Sequence, residues 1–289
     1  MIGWIVETVV DLNESPTLLP TFDYTHNDLR VSQFLFGERV EILDETKEFF
    51  KVQAVEQPKY CKNIGWHSYP GWVRKNALLP LTCDLPPNLT VAKSHVTLFL
   101  EDGEIDLSFG SSLYGESHLD GWKVILPNGK EGTCEKAALR PLALSRKDFV
   151  LDAKRFLGAP YLFGGRGAYL TKRPLAASVD CSGLVSLLFR AQGINIPRDA
   201  HDQALQAKKI SSSELQIGDL VFLRPQSNID RVTHVVVYLG EETFIEAPES
   251  GKHVHLLKRG TSFLEEGENV ILKNRREAST PLFGSFWPS

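Results

Sequence analysis

With 289 residues and 42% hydrophobic content, the chain is long enough to bury a substantial core and to divide into one to three domains. A net charge of −4 leaves no basic stripe to track a phosphate backbone, so no nucleic-acid partner is expected. No apolar run approaches the roughly 18 to 20 residues of a membrane span, and no membrane partner is expected either.

The first residues, MIGWIVETVVDLNESP, have no basic leader, break their apolar stretch at Glu7 and offer no small-residue cleavage site. They predict a cytoplasmic protein, or one exported by a route that leaves no such mark. Cys61, Cys83, Cys134 and Cys181 lie far apart, with no Cys-x-x-Cys pair and no histidine at metal-ligand spacing. Reduced thiols are expected, and no metal or other cofactor.

GWVRKNALLPL (71–81) aligns with GTCEKAALRPL (132–142), and each follows a strand-like run, FFKVQAV from Phe49 and GWKVIL from Gly121. The shared Gly, Lys, Ala, Leu, Pro and Leu predict an internal repeat. Short β-rich runs, ERVEILDE, FKVQAV, VTLFLED and WKVILP, are separated by Gly, Pro, Asn and Asp. They predict two small barrels, over residues 1–82 and 83–143. The first copy carries an extra stretch, EQPKYCKNIGWHSYP, before its closing motif. It reads as a long functional loop presenting Tyr60, Trp66, His67 and Tyr69.

From Leu144 the texture changes. SRKDFVLDAKRFLGAP sets Phe149, Val150, Ala153, Phe156 and Leu157 on one helical face, with Ser145 as N-cap and Gly158 and Pro160 as the close. A glycine-rich YLFGGRG follows, then a helix in CSGLVSLLFRAQG closed by Gly193, and a short one in PRDAHDQALQAKK. The period then shifts to strands in GDLVFLR, THVVVYLG, TFIEAP, HVHLL and NVILK. Helices followed by an antiparallel meander define an α+β domain over residues 144–289.

ASVDCSGLVSLLFRAQG (177–193) is where chemistry is concentrated. A sulfur at a helix N-terminus faces unpaired N–H groups and the positive end of the dipole, which favours the thiolate. The small neighbours Ser182 and Gly183 leave room for a substrate carbonyl, and the same N–H groups can stabilise its oxyanion. On these residues alone a second reading stays open, in which Cys181 is a buried helix residue behind an Asp180 N-cap.

A nucleophile needs a base, and His234 stands polar at the mouth of the apolar run THVVVYLG. Glu246 in TFIEAP can orient that imidazole if GEE (240–242) is a three-residue hairpin loop. Leu239 then faces Thr243, and Glu246 faces Val236 on His234's side. A two-residue loop would turn Glu246 to the other face, as a solvated hairpin charge. On the near face a carboxylate fixes the tautomer and stabilises the imidazolium.

GAPYLFGG, VDCSGLV, INIPRDAHDQ, IGDLVFLR and THVVVYLGEETFIEAP occur in the order and approximate spacing of the NlpC-type cell-wall cysteine peptidases, papain-like α+β enzymes. The chain resembles that family from about residue 145 to 255. The preceding half, with SQFLFGERV and the YPGWV turn, is similar to the paired bacterial SH3-like barrels of the γ-D-glutamyl-L-diamino acid endopeptidase, or dipeptidyl-peptidase VI, subgroup. The resemblance implies that Cys181 is the nucleophile and His234 the general base and later acid. Glu246 takes a third position where the family usually has His, sometimes Asn or Gln. The added negative charge implies a more basic His234.

The implied partner is a peptidoglycan stem peptide with a free N-terminal L-Ala, cut between γ-D-Glu and the diamino acid without a cofactor. Asp180 and Tyr69 match the residues that grip the amine. An anion beside Cys181 is reasonable where a bound ammonium neutralises it. Ser182 and Arg198 match substrate contacts, Arg198 as a bidentate holder of the D-Glu α-carboxylate. Ala200 stands where the family often has Ser. Tyr161 matches a tyrosine lining the cleft near the oxyanion, and Phe163 replaces the more typical Trp. Glu38 in LFGERV is a strand-edge charge or a further amine contact.

A thiol hydrolase is therefore the leading expectation. Two other classes stay open. One is a papain-clan amidase or acyltransferase, whose permuted members the order Cys181 before His234 opposes. The other is a catalytically inactive cell-wall binding module, which the intact Cys, His and third residue oppose.

Overall fold

The computed structural model describes residues 1–17, 27–168, 178–267, 269–272 and 278–288. Seven strands form the first sheet: β1 (Ile2–Ile5), β2 (Val9–Asn13), β3 (Arg30–Leu35), β4 (Arg39–Glu45), β5 (Phe49–Cys61), β6 (Gly65–Arg74) and β7 (Leu78–Pro80). Their order is β3-β2-β6-β5-β4-β1-β7. The second sheet uses β8 (Leu89–Val91), β9 (His95–Leu100), β10 (Gly103–Ser108), β11 (Ser112–His118), β12 (Gly121–Ile125), β13 (Glu131–Glu135) and β14 (Leu139–Pro141). Its order, β10-β9-β13-β12-β11-β8-β14, is that of the first with every label advanced by seven.

The likeness between the two closing motifs thus marks a structural repeat. In each, a single 3-10 turn, Lys75–Ala77 or Lys136–Ala138, leads into a short closing strand. Ala77 and Ala138 are fully buried, and Leu78 and Leu139 follow them into the two cores. Phe36-Gly37 and Phe109-Gly110 repeat as well. Both glycines hold positive φ, 85° and 81°, a turn that a Cβ would strain. The next residue is Glu38 in one copy and Ser111 in the other, and both are buried. Trp4 and Phe36 of the first barrel pack edge-to-face at 5.3 Å within the core of the second, so the repeats share apolar surface.

EQPKYCKNIGWHSYP is not a loop. Most of it lengthens the β5–β6 hairpin, which pairs from Phe49↔Arg74 to Cys61↔Gly65 with an irregularity between Ala54 and Pro58. Tyr60 faces Trp66 across the tip with ring centroids 5.3 Å apart, and such a cross-strand aromatic pair stabilises strands over coil. Residue-by-residue pairing also satisfies backbone groups that a loop would leave to water.

The remaining residues form an α+β domain. It contains α1 (Arg146–Lys154), α2 (Cys181–Arg190), α3 (Ala200–Gln206) and an antiparallel sheet of β15 (Lys208–Ile210), β16 (Leu220–Pro225), β17 (His234–Gly240), β18 (Thr243–Glu246), β19 (His255–Lys258), β20 (Phe263–Glu266), β21 (Asn269–Leu272) and β22 (Ser279–Ser285). Ser145 caps α1 by accepting from the Asp148 N–H at 3.1 Å. Leu157, expected on the apolar face, lies beyond the helix end and is 41% exposed. The sheet order is β19-β18-β17-β16-β22-β21-β20, so the C-terminal strand inserts beside β16 and breaks the expected meander. Lys273, the last residue of NVILK, lies outside the described residues. Every residue of α2 is buried, and the helix packs on β17, α1 and α3.

Buried charge joins the first barrel to this domain. Glu38 is neither a strand-edge charge nor an exposed amine contact. It accepts from Arg166 Nη1 at 2.5 Å, from the Leu35 N–H at 3.0 Å and from Gln57 Nε2 at 3.1 Å. Burial pushes its carboxyl up, but Arg166 and Arg190 outweigh this and hold it below the ordinary carboxylate value. Arg190, at the end of α2, also pairs with Glu56 and donates to the Gly110 carbonyl of the second barrel at 3.1 Å.

Candidate active site

Asp180 is the N-cap of α2. Its extended backbone precedes the helix, and its carboxylate accepts from the Gly183 N–H at 2.6 Å and from the Gly164 N–H at 2.9 Å. Cys181 therefore opens the helix, where the first N–H groups lack intrahelical acceptors and an adjacent thiolate is favoured. It is 9% exposed and shares a cluster with Val235 and Val237 of β17. The small residue at 183 makes room for the protein's own backbone. A Cβ there would lie 2.0 Å from the Gly165 carbonyl oxygen, so glycine is needed for the YLFGGRG segment to close over the start of the helix.

His234 begins β17 and is 2% exposed. Its Nε2 lies 2.5 Å from Glu246 Oε2. The register that brings them together arises differently from the expected three-residue loop. Gly240 pairs with Thr243, so the turn is the two-residue Glu241-Glu242, with φ of 48° and 59°, the conformation that suits the twist of a tight hairpin. Such a turn alone would send Glu246 to the far face. A bulge at Leu239, between the pairs Tyr238↔Phe244 and Gly240↔Thr243, takes up one residue and restores the near face.

Glu246 has a second histidine that the sequence reading did not single out. His255 is its direct partner across β18 and β19, with Nε2 3.2 Å from Glu246 Oε1. Nothing in HVHLL signals this, because the residues between β18 and β19 leave the pairing undetermined.

Asp180, Ser182 and Arg198 come together, but as a sealed cluster. Arg198 is 1% exposed; Nη1 and Nη2 bind the two Asp180 carboxylate oxygens at 3.0 and 2.8 Å. Its remaining N–H groups go to Ser32 Oγ at 3.0 Å, Ser182 Oγ at 3.0 Å and the Gly165 carbonyl at 3.3 Å. All five donors are engaged, and burial's tendency to lower this guanidinium is outweighed by Asp180, which raises it. In this geometry Arg198 is the counter-ion of Asp180 and has no fork left for a substrate carboxylate. Asp180, likewise, is neutralised from within.

Tyr69, 7% exposed, meets a different carboxylate, Asp199. The Tyr69 hydroxyl lies 3.4 and 3.3 Å from its two oxygens, and Lys59 Nζ lies 2.7 Å from Oδ2 and 4.1 Å from the Tyr69 ring centroid. Asp199 occupies the N-cap position of α3 yet makes no capping hydrogen bond, so its carboxylate turns to the first barrel instead. Burial raises the Tyr69 phenol, and Asp199 raises it further. The extended hairpin is held here by two backbone links as well, Arg198 N–H to the Pro58 carbonyl at 3.2 Å and Tyr60 N–H to Asp202 at 2.9 Å. Asp199 was legible only as the neighbour of Arg198. Tyr161, partly buried, bridges to Val179 just ahead of Cys181 and donates its N–H to the Lys252 carbonyl at 2.8 Å.

A thiol at a helix start, an imidazole on an adjoining strand and a carboxylate on its ring nitrogen define a papain-like cysteine hydrolase arrangement. Residues 158–270 match the model of the NlpC/P60 family, so the chain carries an NlpC/P60 family domain at its C-terminal end, preceded by all-β domains consistent with SH3-like barrels. The chain is 28% identical to a gamma-D-glutamyl-L-lysine dipeptidyl-peptidase of Bacillus subtilis, over 78% of this chain and 75% of that protein. It is 26% identical to one of Bacillus cereus, over 81% and 72%. A crystal structure of an NlpC/P60 family protein from Bacillus cereus superposes with a TM-score of 0.75 at 22% identity, covering 89% of this chain and 94% of that one, and thus shares the fold.

Proposed function

We propose that this protein is a cysteine peptidase that hydrolyses the γ-D-Glu–diamino acid amide bond of peptidoglycan stem peptides with a free N-terminal L-Ala. The observation that carries the reading is the 2.5 Å contact between His234 Nε2 and Glu246, on a strand packed against the helix that Cys181 opens. The dipeptidyl-peptidase activity for which the two Bacillus relatives are named supports the same bond.

With Nε2 directed at Glu246, Nδ1 is the ring nitrogen for proton exchange with the thiol. The Cys181 thiolate attacks the amide carbon, forming a C–S bond, and the oxyanion is stabilised by N–H groups at the start of α2. Collapse breaks the C–N bond as the His234 imidazolium gives its proton to the leaving amine. Water then attacks the thioester, its proton passing to the imidazole, and the C–S bond breaks to release the acid and restore the thiol.

The substrate's ammonium is assigned to Asp199 and Tyr69 rather than to Asp180. Asp199 keeps 36% of its side chain exposed, whereas Asp180 is closed off by Arg198. Lys59 already rests on Asp199 Oδ2 and on the Tyr69 ring, an internal example of the contact, but unlike Arg198 it is itself partly exposed, so the substrate's ammonium can share or displace it. Incubating the protein with L-Ala-γ-D-Glu-L-Lys and its diaminopimelate counterpart tests the reading by mass spectrometry. The dipeptide and the free diamino acid should appear, and an N-acetylated stem should stay intact. Failure of the folded protein to cut either free-amine peptide overturns the proposal.

A further inference from the structure

His255 reaches Glu246 from β19, on the side opposite His234. Its two ring nitrogens both face acceptors: Nδ1 is 2.9 Å from the His253 carbonyl and Nε2 is 3.2 Å from Glu246 Oε1. A carbonyl oxygen can only accept, so Nδ1 carries a proton. In a neutral ring Nε2 would then point a lone pair at a carboxylate oxygen; with both nitrogens protonated, both contacts are hydrogen bonds. Glu246 is 2% exposed and is met by one imidazole on each oxygen, whereas the His255 side chain is 39% exposed.

We propose that His255 is a positioning residue of the catalytic centre: as an imidazolium it holds the Glu246 carboxylate so that Oε2 is aimed at His234, and it cancels the negative charge that a glutamate brings to this position. The pair Glu246–His255 then behaves towards His234 as a nearly neutral hydrogen-bond acceptor. This rests on the peptidase reading of Cys181 and His234.

The charged groups facing His255 fit this role. Glu246 on β18 raises its basicity through the hydrogen bond, burial acts against it, and the His253 carbonyl adds to the rise; Lys252 opposes it, and is itself paired with Glu249 at 2.5 Å. His234 lies on the far side of the carboxylate. Replacing His255 with a neutral residue removes a positive charge that only the Glu246 carboxylate separates from the His234 imidazole, the base paired in the proposal with the Cys181 thiol. Both would hold their protons to higher pH.

The test needs no substrate. Alkylation of Cys181 by iodoacetamide, followed across pH by mass spectrometry of its peptide, reports thiolate formation. In His255→Gln the profile should move up by about half a pH unit to one unit, a roughly three- to tenfold slower reaction on its acid limb. A merely structural role would lower the melting temperature without moving the profile. An unchanged profile in a folded His255→Gln protein overturns the proposal. Ring nitrogen chemical shifts check the charge directly: in the native protein near pH 6.5, His255 should be doubly protonated, and a neutral ring overturns the proposal. Because neither measurement uses a peptide, a native protein that alkylates as expected but cuts no stem peptide removes the peptidase reading alone.

Discussion

In the first barrel the β5–β6 hairpin continues to Cys61 and Gly65 and reaches α3; its counterpart in the second, β12–β13, ends after Ile125 and resumes at Glu131. Each strand order is otherwise the same. The difference teaches where a repeat can acquire a role. A hairpin lengthens by adding residues that pair with each other, so the barrel core is undisturbed while the tip gains side chains. Tyr69 and Lys59 of the longer hairpin meet Asp199, whereas the exposed pair Lys123–Glu131 of the shorter one meets no part of the site described above. A second contrast follows the shared Phe-Gly turn, where Glu38 enters the ion-paired seam and Ser111 does not.

The largest expected effect separates the chemistry from the barrels that frame it. Cys181→Ala should lower turnover by at least about a thousandfold while calorimetry still registers stem-peptide binding. Next comes the seam. Glu38→Ser, which writes the second barrel's residue into the first, strips Arg166 of its buried counter-ion and should cost about 3–5 kcal/mol in urea denaturation. A cost below about 1 kcal/mol would make the two turns equivalent. Asp199→Asn should raise KM by roughly ten- to a hundredfold with a smaller change in kcat, while Glu131→Gln on the short hairpin leaves KM unaltered.

Glu38 also gives the seam a pH dependence. Its folded value lies below the ordinary 4.5 because Arg166 and Arg190 outweigh burial. Its stabilising contribution is therefore complete above about pH 4.5 and disappears as pH falls through the lower folded value. Glu38→Gln should be less stable near neutrality and flatter through that acid range, as followed by denaturant midpoints. The smallest effect is Ser111→Ala. The Ser111 hydroxyl is buried with no hydrogen-bond partner among the described residues, so its removal should change stability by less than about 1 kcal/mol, in either direction.

Much of the site was legible because its signals are local. An Asp-Cys-Ser-Gly run before an apolar helix shows where a thiol meets unpaired N–H groups, and a polar residue at the mouth of THVVVYLG marks His234. The alternation in TFIEAP placed Glu246 correctly, but through a turn one residue too long, since a bulge at Leu239 and a third loop residue have the same effect on register. Arg198 reads equally well as a holder of a substrate carboxylate or as an internal counter-ion, because a guanidinium suits both. Asp180, close enough to take both nitrogens, is the partner it meets in this structure. YPGWV, expected as a turn, is a run of β6 paired with β5; it pointed to Tyr69 but not to Asp199, its partner 130 residues away.

By itself the sequence determined the repeat, the helix that begins at Cys181 and the face on which His234 stands, because periodicity, capping and turn chemistry act over a few residues. Tertiary structure decided which carboxylate each charged group meets. Arg198 with Asp180, Arg166 with Glu38, Lys59 with Asp199 and His255 with Glu246 are long-range choices, made where buried charges must find a partner and several candidates of the right sign compete.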